Sequence, residues 1–104
     1  MSKFYRHALG EVLRDRRLAL GHTLRTTSGE ATIALGYLSE VENGHKELSS
    51  ELLEKVAGAL RTTVYSLVIE TGYRMEREAN EIPDTAESLF RDKAWQKQYS
   101  DLVL

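Results

Sequence analysis

The sequence of 104 residues predicts an all-α fold. Apolar residues recur at the three- and four-residue spacings of amphipathic helices, and no stretch shows the apolar–polar alternation of a half-buried strand. Residues that commonly begin or end helices separate these stretches. Because a chain of this length supplies one hydrophobic core, we expect the helices to pack around a single centre.

The first two helices meet at a glycine. The first helix is expected to end at Gly21, since glycine readily takes the backbone conformation of a helix terminus. Thr23 is the expected N-cap of a short second helix that runs to about Glu30. One face of the first helix carries Leu9, Val12, Leu13, Arg16 and Leu20.

The third and fourth helices follow a short turn at residues 31–34. The third helix is expected over residues 35–43, where Gly44 supplies the left-handed conformation that stops it. Ser49 caps the fourth helix, and Glu51 lies in its first turn, where the helix dipole favours negative charge. The apolar stripe of this helix consists of Leu52, Leu53, Val56, Ala57 and Leu60.

A fifth helix begins after Thr63 as its N-cap. Its apolar residues are Val64, Tyr65, Leu67 and Val68. Gly72 is expected to loosen or break this helix, because glycine is a poor helix former. The polar residues 74–82 then form either a helical extension or a linker.

A last helix is expected at the C-terminal end of the chain. After Pro83, the residues Asp84 and Glu87 have the spacing of a capping box, which commonly starts a helix. We therefore divide the chain into a domain over residues 1–72 and a helical segment over residues 73–104. The apolar face of the last helix consists mainly of Leu89, Phe90, Ala94, Trp95 and Leu102.

Several classes of protein are excluded by composition. Cysteine is absent, so disulfides, thiolate metal sites and cysteine nucleophiles are not expected. His7, His22 and His45 lack the spacing of metal ligands, and no nucleophile is placed beside a base. We expect no metal, no cofactor and no enzymatic activity. No apolar run is long enough to span a membrane, and no signal peptide is visible, which predicts a cytoplasmic protein.

Charge is distributed unevenly along the chain, whose net charge is −2. Residues 1–30 carry six Lys or Arg against three Asp or Glu, whereas residues 70–104 carry five against eight. A basic front and an acidic back favour a DNA-facing end with a separate association segment.

Two strings of residues carry a family resemblance. They are Gly36-Tyr-Leu-Ser-Glu-Val-Glu-Asn-Gly44, followed by Lys46 and Glu47, and Ser49-Ser-Glu-Leu-Leu53. With the helix pattern from Leu9 to about Leu67, they resemble the Cro and phage-repressor (XRE) helix-turn-helix family. Within that family they are similar to the clp-gene regulators of actinobacteria. The resemblance implies a five-helix repressor-like domain that binds double-stranded DNA.

The same resemblance implies a biological role. Such a regulator binds a pseudo-palindromic operator as a homodimer and activates genes of the Clp protease system and other proteostasis genes. RNA polymerase is then a further partner, and the nucleoid within the cytoplasm is the expected location.

Roles for individual residues also follow from the resemblance. Leu35, Gly36 and Glu40 are expected to face base edges, whereas Tyr37 and Asn43 hold phosphates. The remaining DNA-facing positions are Ser39, Arg25, His45 and Lys46. Two simpler roles stay open, because Tyr37 also fits a half-buried surface aromatic and Glu40 also fits a solvated or intrahelical carboxylate.

The inward side of the third helix is predicted from spacing and from the family pattern. Leu38 and Val41 lie three residues apart and can face the core together. The resemblance further implies that Arg17 forms an ion pair with Glu42 that sets the angle between the first and third helices.

The chain departs from the family pattern in the second helix and the turn. Thr27 and Ser28 stand where the family usually has an aliphatic residue and alanine. Thr32 stands at a turn position that is often glycine, and Ala34 replaces the usual Ser or Thr cap of the third helix. We expect these changes to reduce the rigidity of the second helix and the turn.

The last helix has two open interpretations. It packs back on the N-terminal domain, or its apolar face forms a dimer, which a small DNA-binding module needs in order to engage two half-sites. Other functions for the whole chain are an antitoxin or prophage-type repressor, and a helical protein-interaction module without DNA binding.

Overall fold

A computed structural model of the protein describes residues 5–79, which form five helices and no strand. The helices are α1 (Tyr5–Ala19), α2 (Leu24–Ala31), α3 (Leu35–Glu42), α4 (Ser50–Ala59) and α5 (Val64–Ala79). The predicted all-α fold is therefore confirmed. The helix expected after Pro83 lies outside the described residues, with Leu89, Phe90, Ala94, Trp95 and Leu102. The division into residues 1–72 and 73–104 stays a prediction.

Three helices begin at the hydroxyl caps expected from the sequence. The side-chain oxygens of Thr23, Ser49 and Thr63 accept hydrogen bonds from the amide three residues further on, at 3.1, 3.2 and 3.0 Å. Each bond satisfies one of the amides that the first turn of a helix leaves without a partner.

Helix α2 and the turn after it contain two unfavourable features. Thr27 is 1% exposed, and within residues 5–79 its hydroxyl has no hydrogen-bond partner. Thr32 adopts a left-handed backbone with φ 58°, which β-branched residues avoid. The amides of Thr32 and Ile33 nevertheless donate hydrogen bonds to the carbonyl oxygens of Gly29 and Ser28, at 3.3 and 3.0 Å, and these bonds end the helix. The helix forms despite the departures from the family pattern.

The core lies between all five helices. Helix α2 contributes Ala31. The largest fully buried aliphatic side chains come from the other four helices and from the residue that follows α4, and they are Val12, Leu13, Leu38, Val41, Val56, Leu60 and Leu67.

Two residues near the C-terminal end of α1, Arg16 and Leu20, differ from the face predicted for this helix. Leu20 follows the end of α1 and is exposed, so it does not share the helix face predicted for it with Leu9, Val12 and Leu13. Arg16 is half-buried, and its guanidinium donates to the carbonyl oxygens of Leu60 and Arg61 at 3.1 and 3.0 Å. Arg16 therefore satisfies carbonyls at the end of α4 that the helix itself leaves unpaired.

Helices α1 and α3 approach each other most closely at a glycine. A Cβ atom built on Gly10 would lie 2.5 Å from the carbonyl oxygen of Val41 and 2.6 Å from that of Glu42. Real Cβ atoms do not come so close to backbone oxygens, so only glycine allows this contact. The backbone of α1 thus supports the C-terminal end of α3 directly.

Helix α5 does not break at Gly72, and that expectation was wrong. The helix continues to Ala79, and residues 74–79 of the polar segment form its extension. A glycine inside a helix costs about 1 kcal/mol relative to alanine. Leu67 and Thr71 anchor the preceding turns in the core, and Arg74 ties the next turn to α1, which outweighs that cost.

Arg74 joins α5 to α1 through carboxylates. Its guanidinium lies 2.7 Å from Asp15, 3.7 Å from Glu11 and 3.5 Å from Glu70. Burial by itself lowers the pKa of Arg74, but the hydrogen bond and charge of Asp15, with the charges of Glu70 and Glu11, raise the pKa overall.

Within residues 5–79, no helix combines the length and the apolar character needed to cross a membrane.

Candidate nucleic-acid interface

Helix α3 presents one side to the core and the other to solvent. Leu38 and Val41 are 0% and 1% exposed, which confirms their predicted inward orientation. On the opposite side Leu35, Gly36, Glu40 and Asn43 are exposed, and Tyr37 and Ser39 are half-buried. An apolar inner face and a mostly open outer face are what a helix needs to enter a major groove while staying attached to its domain.

Arg17 and Glu42 form the predicted ion pair. The guanidinium donates two hydrogen bonds to the carboxylate, from Nε to Oε2 at 2.7 Å and from Nη2 to Oε1 at 3.0 Å. It donates a third to the carbonyl oxygen of His22 at 2.8 Å. The hydrogen bond to Glu42 raises the pKa of Arg17, so the pair stays charged on the arginine side.

The position of this pair has a consequence for α3. Glu42 is the last residue of α3, where unpaired carbonyl groups already make the helix end negative. Arg17 compensates that charge and fastens the end of α3 to α1. Together with the backbone contact at Gly10, it determines the angle at which α3 leaves the domain.

The N-terminal end of α3 has no side-chain cap. Ala34 occupies the cap position and makes no side-chain hydrogen bond there. The amides of the first turn are therefore not occupied by a cap and point away from the helix. Such amides, together with the helix dipole, favour an anion such as a phosphate.

Residues 43–49 form the loop between α3 and α4, which we call the 43–49 loop. Gly44 adopts φ +77°, and the amide of His45 donates to the carbonyl oxygen of Glu40 at 2.8 Å. From α1, Nε of Arg6 donates to the carbonyl oxygen of Gly44 at 3.0 Å. The ring of His7 packs so close to Gly44 that a Cβ atom there would collide with it. Sequence reasoning missed Arg6 and His7, since nothing local links them to a loop so distant in the chain.

Tyr37 makes a contact that its sequence context did not reveal. Its ring packs against the hydrophobic core, and its hydroxyl donates to the backbone carbonyl oxygen of Glu47 in the 43–49 loop. The half-buried aromatic side chain that the sequence left open is therefore present.

The positive side chains of Arg25 and Lys46 and the imidazole of His45 lie on the elements before and after α3. Arg25 lies in the first turns of α2, and His45 and Lys46 lie in the 43–49 loop. All three are exposed, and none forms an ion pair with another described residue. Their exposure leaves these side chains available to a polyanion. Over the same part of the chain, no group of His, Asp and Glu is arranged to hold a metal ion.

Comparison with known proteins gives one result for the family and several for individual relatives. Residues 13–67 match the helix-turn-helix family model. The transcriptional regulator ClgR of Mycobacterium tuberculosis is 45% identical over 78 residues, which are 75% of this chain and 70% of that protein.

Solved structures agree with these matches. The clp gene regulator ClgR from Corynebacterium glutamicum superposes with a TM-score of 0.74 at 38% identity, over 92% of this chain and 97% of that one. The restriction-modification controller protein C.AhdI from Aeromonas hydrophila superposes with a TM-score of 0.59 at 27% identity, over 60% of this chain and 94% of that one.

Proposed function

Because the chain belongs to the helix-turn-helix family and is a transcriptional regulator of the clp gene regulator type, we propose that it binds a pseudo-palindromic operator as a homodimer. At that operator it activates genes of the Clp protease system and other proteostasis genes, with RNA polymerase as its partner. The proposal rests on helix α3, which is anchored in the core by Leu38 and Val41 and exposed on its other side.

We assign base contacts to the outer side of α3. Leu35 is an exposed apolar residue at the start of the helix, suited to a thymine methyl group. Glu40 accepts a hydrogen bond from a cytosine amine, and Ser39 can donate or accept. Gly36 has open space where a side chain would lie, so DNA can approach the backbone closely at this position.

Phosphate contacts belong to the side chains around α3. Arg25, His45 and Lys46 are exposed and lie on elements that flank the helix, and Asn43 is exposed at its C-terminal end. These groups orient the protein on the duplex without reading its sequence, since phosphates are the same at every base pair.

The outer face of α5 supports association of two chains. Tyr65, Val68, Ile69 and Tyr73 recur at three- and four-residue spacings and are 75%, 42%, 43% and 64% exposed. An apolar stripe of this kind on a helix is costly to leave in water. The predicted apolar residues of the last helix, Leu89, Phe90, Ala94, Trp95 and Leu102, would extend the same dimer.

Selection from a random pool of duplexes tests the proposed function. The protein should enrich a pseudo-palindrome with half-sites about one helical turn apart, roughly 10 bp from centre to centre. Binding should weaken steeply as salt rises from about 50 to 200 mM, because phosphate contacts release counterions. Recovery of no sequence, with salt-independent weak binding, would instead support a protein-interaction module without DNA binding.

Substitution of Gly36 separates folding from DNA binding. Both Gly36 and Gly58 lie inside helices with nothing within 4 Å of an added Cβ atom. Replacing either by alanine should raise the free energy of unfolding by about 0.5–1 kcal/mol, because alanine is the better helix former. Only Gly36→Ala should weaken binding to the selected duplex, since Gly58 lies on α4, to which no DNA contact is assigned.

Chemical denaturation and duplex titration of both variants provide the measurement. If Gly36→Ala bound the duplex as tightly as the natural chain, close approach of DNA at this glycine would be disproved.

A further inference from the structure

The hydroxyl of Tyr37 has one proton, and the structure shows where that proton goes. It is donated to the carbonyl oxygen of Glu47. Phosphate diester oxygens of DNA only accept hydrogen bonds, so a tyrosine hydroxyl contacts them as a donor. While the bond to Glu47 holds, Tyr37 has no proton to offer a phosphate.

The hydroxyl is held in place from the inside of the domain. The ring of Tyr37 packs against the core cluster, and its neighbour Leu38 is fully buried. An aromatic ring is rigid, so an anchored ring fixes the position of its hydroxyl group. Tyr37 therefore connects the core to the backbone of the 43–49 loop.

The middle of this loop is held by the half-buried side chain of Leu48, which packs against the core cluster, and by the hydrogen bond from Tyr37 to Glu47. The first part of the loop is tied down by the amide of His45, which donates to Glu40, and its end by the carbonyl of Ser49, which accepts from Leu53 at 2.9 Å. Within residues 5–79, the hydrogen bond from Tyr37 to Glu47 joins the loop backbone between His45 and Ser49. Lys46, next to Glu47, lies in the segment that this bond restrains.

We propose that Tyr37 is a positioning residue, which holds the 43–49 loop so that Lys46 and His45 meet the DNA backbone, and that it gives its hydroxyl proton to Glu47 and not to a phosphate. This inference rests on the proposed function, because the position of the loop matters only if these two side chains contact DNA. Helix α3 then has two roles. Its outer side faces the groove, and its residue Tyr37 holds the neighbouring loop in position.

Tyr37→Phe tests the assignment, because phenylalanine keeps the ring in the core and removes only the hydroxyl. The probe is a duplex recovered by the natural chain from a random pool. The variant should bind it about two- to tenfold more weakly, as expected for one lost hydrogen bond. In the free protein, the backbone order parameters of residues 46 and 47 should fall from the rigid range near 0.85 toward the flexible range below about 0.6, whereas Leu48 stays anchored on the core.

The dependence of affinity on salt separates positioning from direct contact. Lys46→Ala removes a cation and should reduce the slope of log K against log salt by about 1. Tyr37→Phe should also reduce this slope. When Lys46 is already alanine, adding Tyr37→Phe should change the slope little further. A neutral hydroxyl bound directly to phosphate would leave the slope unchanged and would act additively with Lys46→Ala.

Tyr5→Phe is the matched control, because Tyr5 lines the same cleft as Lys46 and Glu47 but is an exposed residue at the start of α1. It should change neither the order parameters nor the salt slope. Unchanged loop dynamics in Tyr37→Phe, or an unchanged slope with additive losses, would overturn the positioning role. If the natural chain bound no duplex, the proposed function would fail, and the loop measurement on the free protein would still test the contact itself.

Discussion

Replacement of Arg17 by alanine is expected to lower the free energy of unfolding by about 3 kcal/mol, as is usual when one partner of a buried ion pair is removed. The Arg17 and Glu42 side chains are only 10% and 5% exposed, so solvent screens the pair little. Without Arg17, the carboxylate of Glu42 stays buried at the negative end of α3, and the carbonyl of His22 loses its donor. Denaturant unfolding provides the measurement.

The converse substitution should cost less. Glu42→Ala leaves Arg17 with the carbonyl of His22 as a remaining acceptor. The double substitution should cost less than the sum of the two single ones, because either single change already breaks the pair. Arg14→Ala changes an exposed arginine of the same helix and should stay within about 0.5 kcal/mol of the natural chain. Strict additivity of the Arg17 and Glu42 effects would remove this pair from the account of how α3 is held.

A chain ending at Ile82 should bind the full operator about 100- to 10,000-fold more weakly than the whole chain, since binding of the second half-site would no longer be intramolecular. All five described helices lie before the cut, so helical content and cooperative unfolding should persist. Sedimentation should show mainly monomer. Phe90→Ala with Trp95→Ala in the whole chain should reproduce the effect if the last helix forms the dimer.

The exposed stripe on α5 offers a specific alternative to that result. If the shortened chain remained dimeric with its operator affinity intact, the dimer contact would have to lie within the first five helices. Ile69→Lys, placed in the middle of the stripe, should then produce monomer, because a charge cannot be buried there without a partner. Sedimentation of both variants therefore locates the interface on α5 or on the last helix.

The local features of the fold were predictable from the sequence because each depends on residues close together in the chain. A threonine or serine hydroxyl caps the amide three residues later, which is why Thr23, Ser49 and Thr63 were identified correctly. The left-handed backbone at Gly44 likewise follows from the preference of glycine for helix ends.

Gly72 shows where local preference stops being sufficient. Its helix-breaking tendency is worth about 1 kcal/mol, which is comparable to a single good tertiary contact. Helix α5 makes several such contacts with α1 around this position, including the 2.7 Å pair between Arg74 and Asp15. The sequence could not reveal their sum, because the partners lie almost sixty positions apart.

The sequence by itself determined which side of α3 faces the core, because the three-residue spacing of Leu38 and Val41 allows only one inward face. Only the tertiary structure decided how that helix and the 43–49 loop are held. The backbone contact at Gly10, the restraint of Gly44 by Arg6 and the bond from Tyr37 to Glu47 each join groups from different elements. Such contacts depend on how the helices pack in three dimensions, and no local pattern of residue types encodes them.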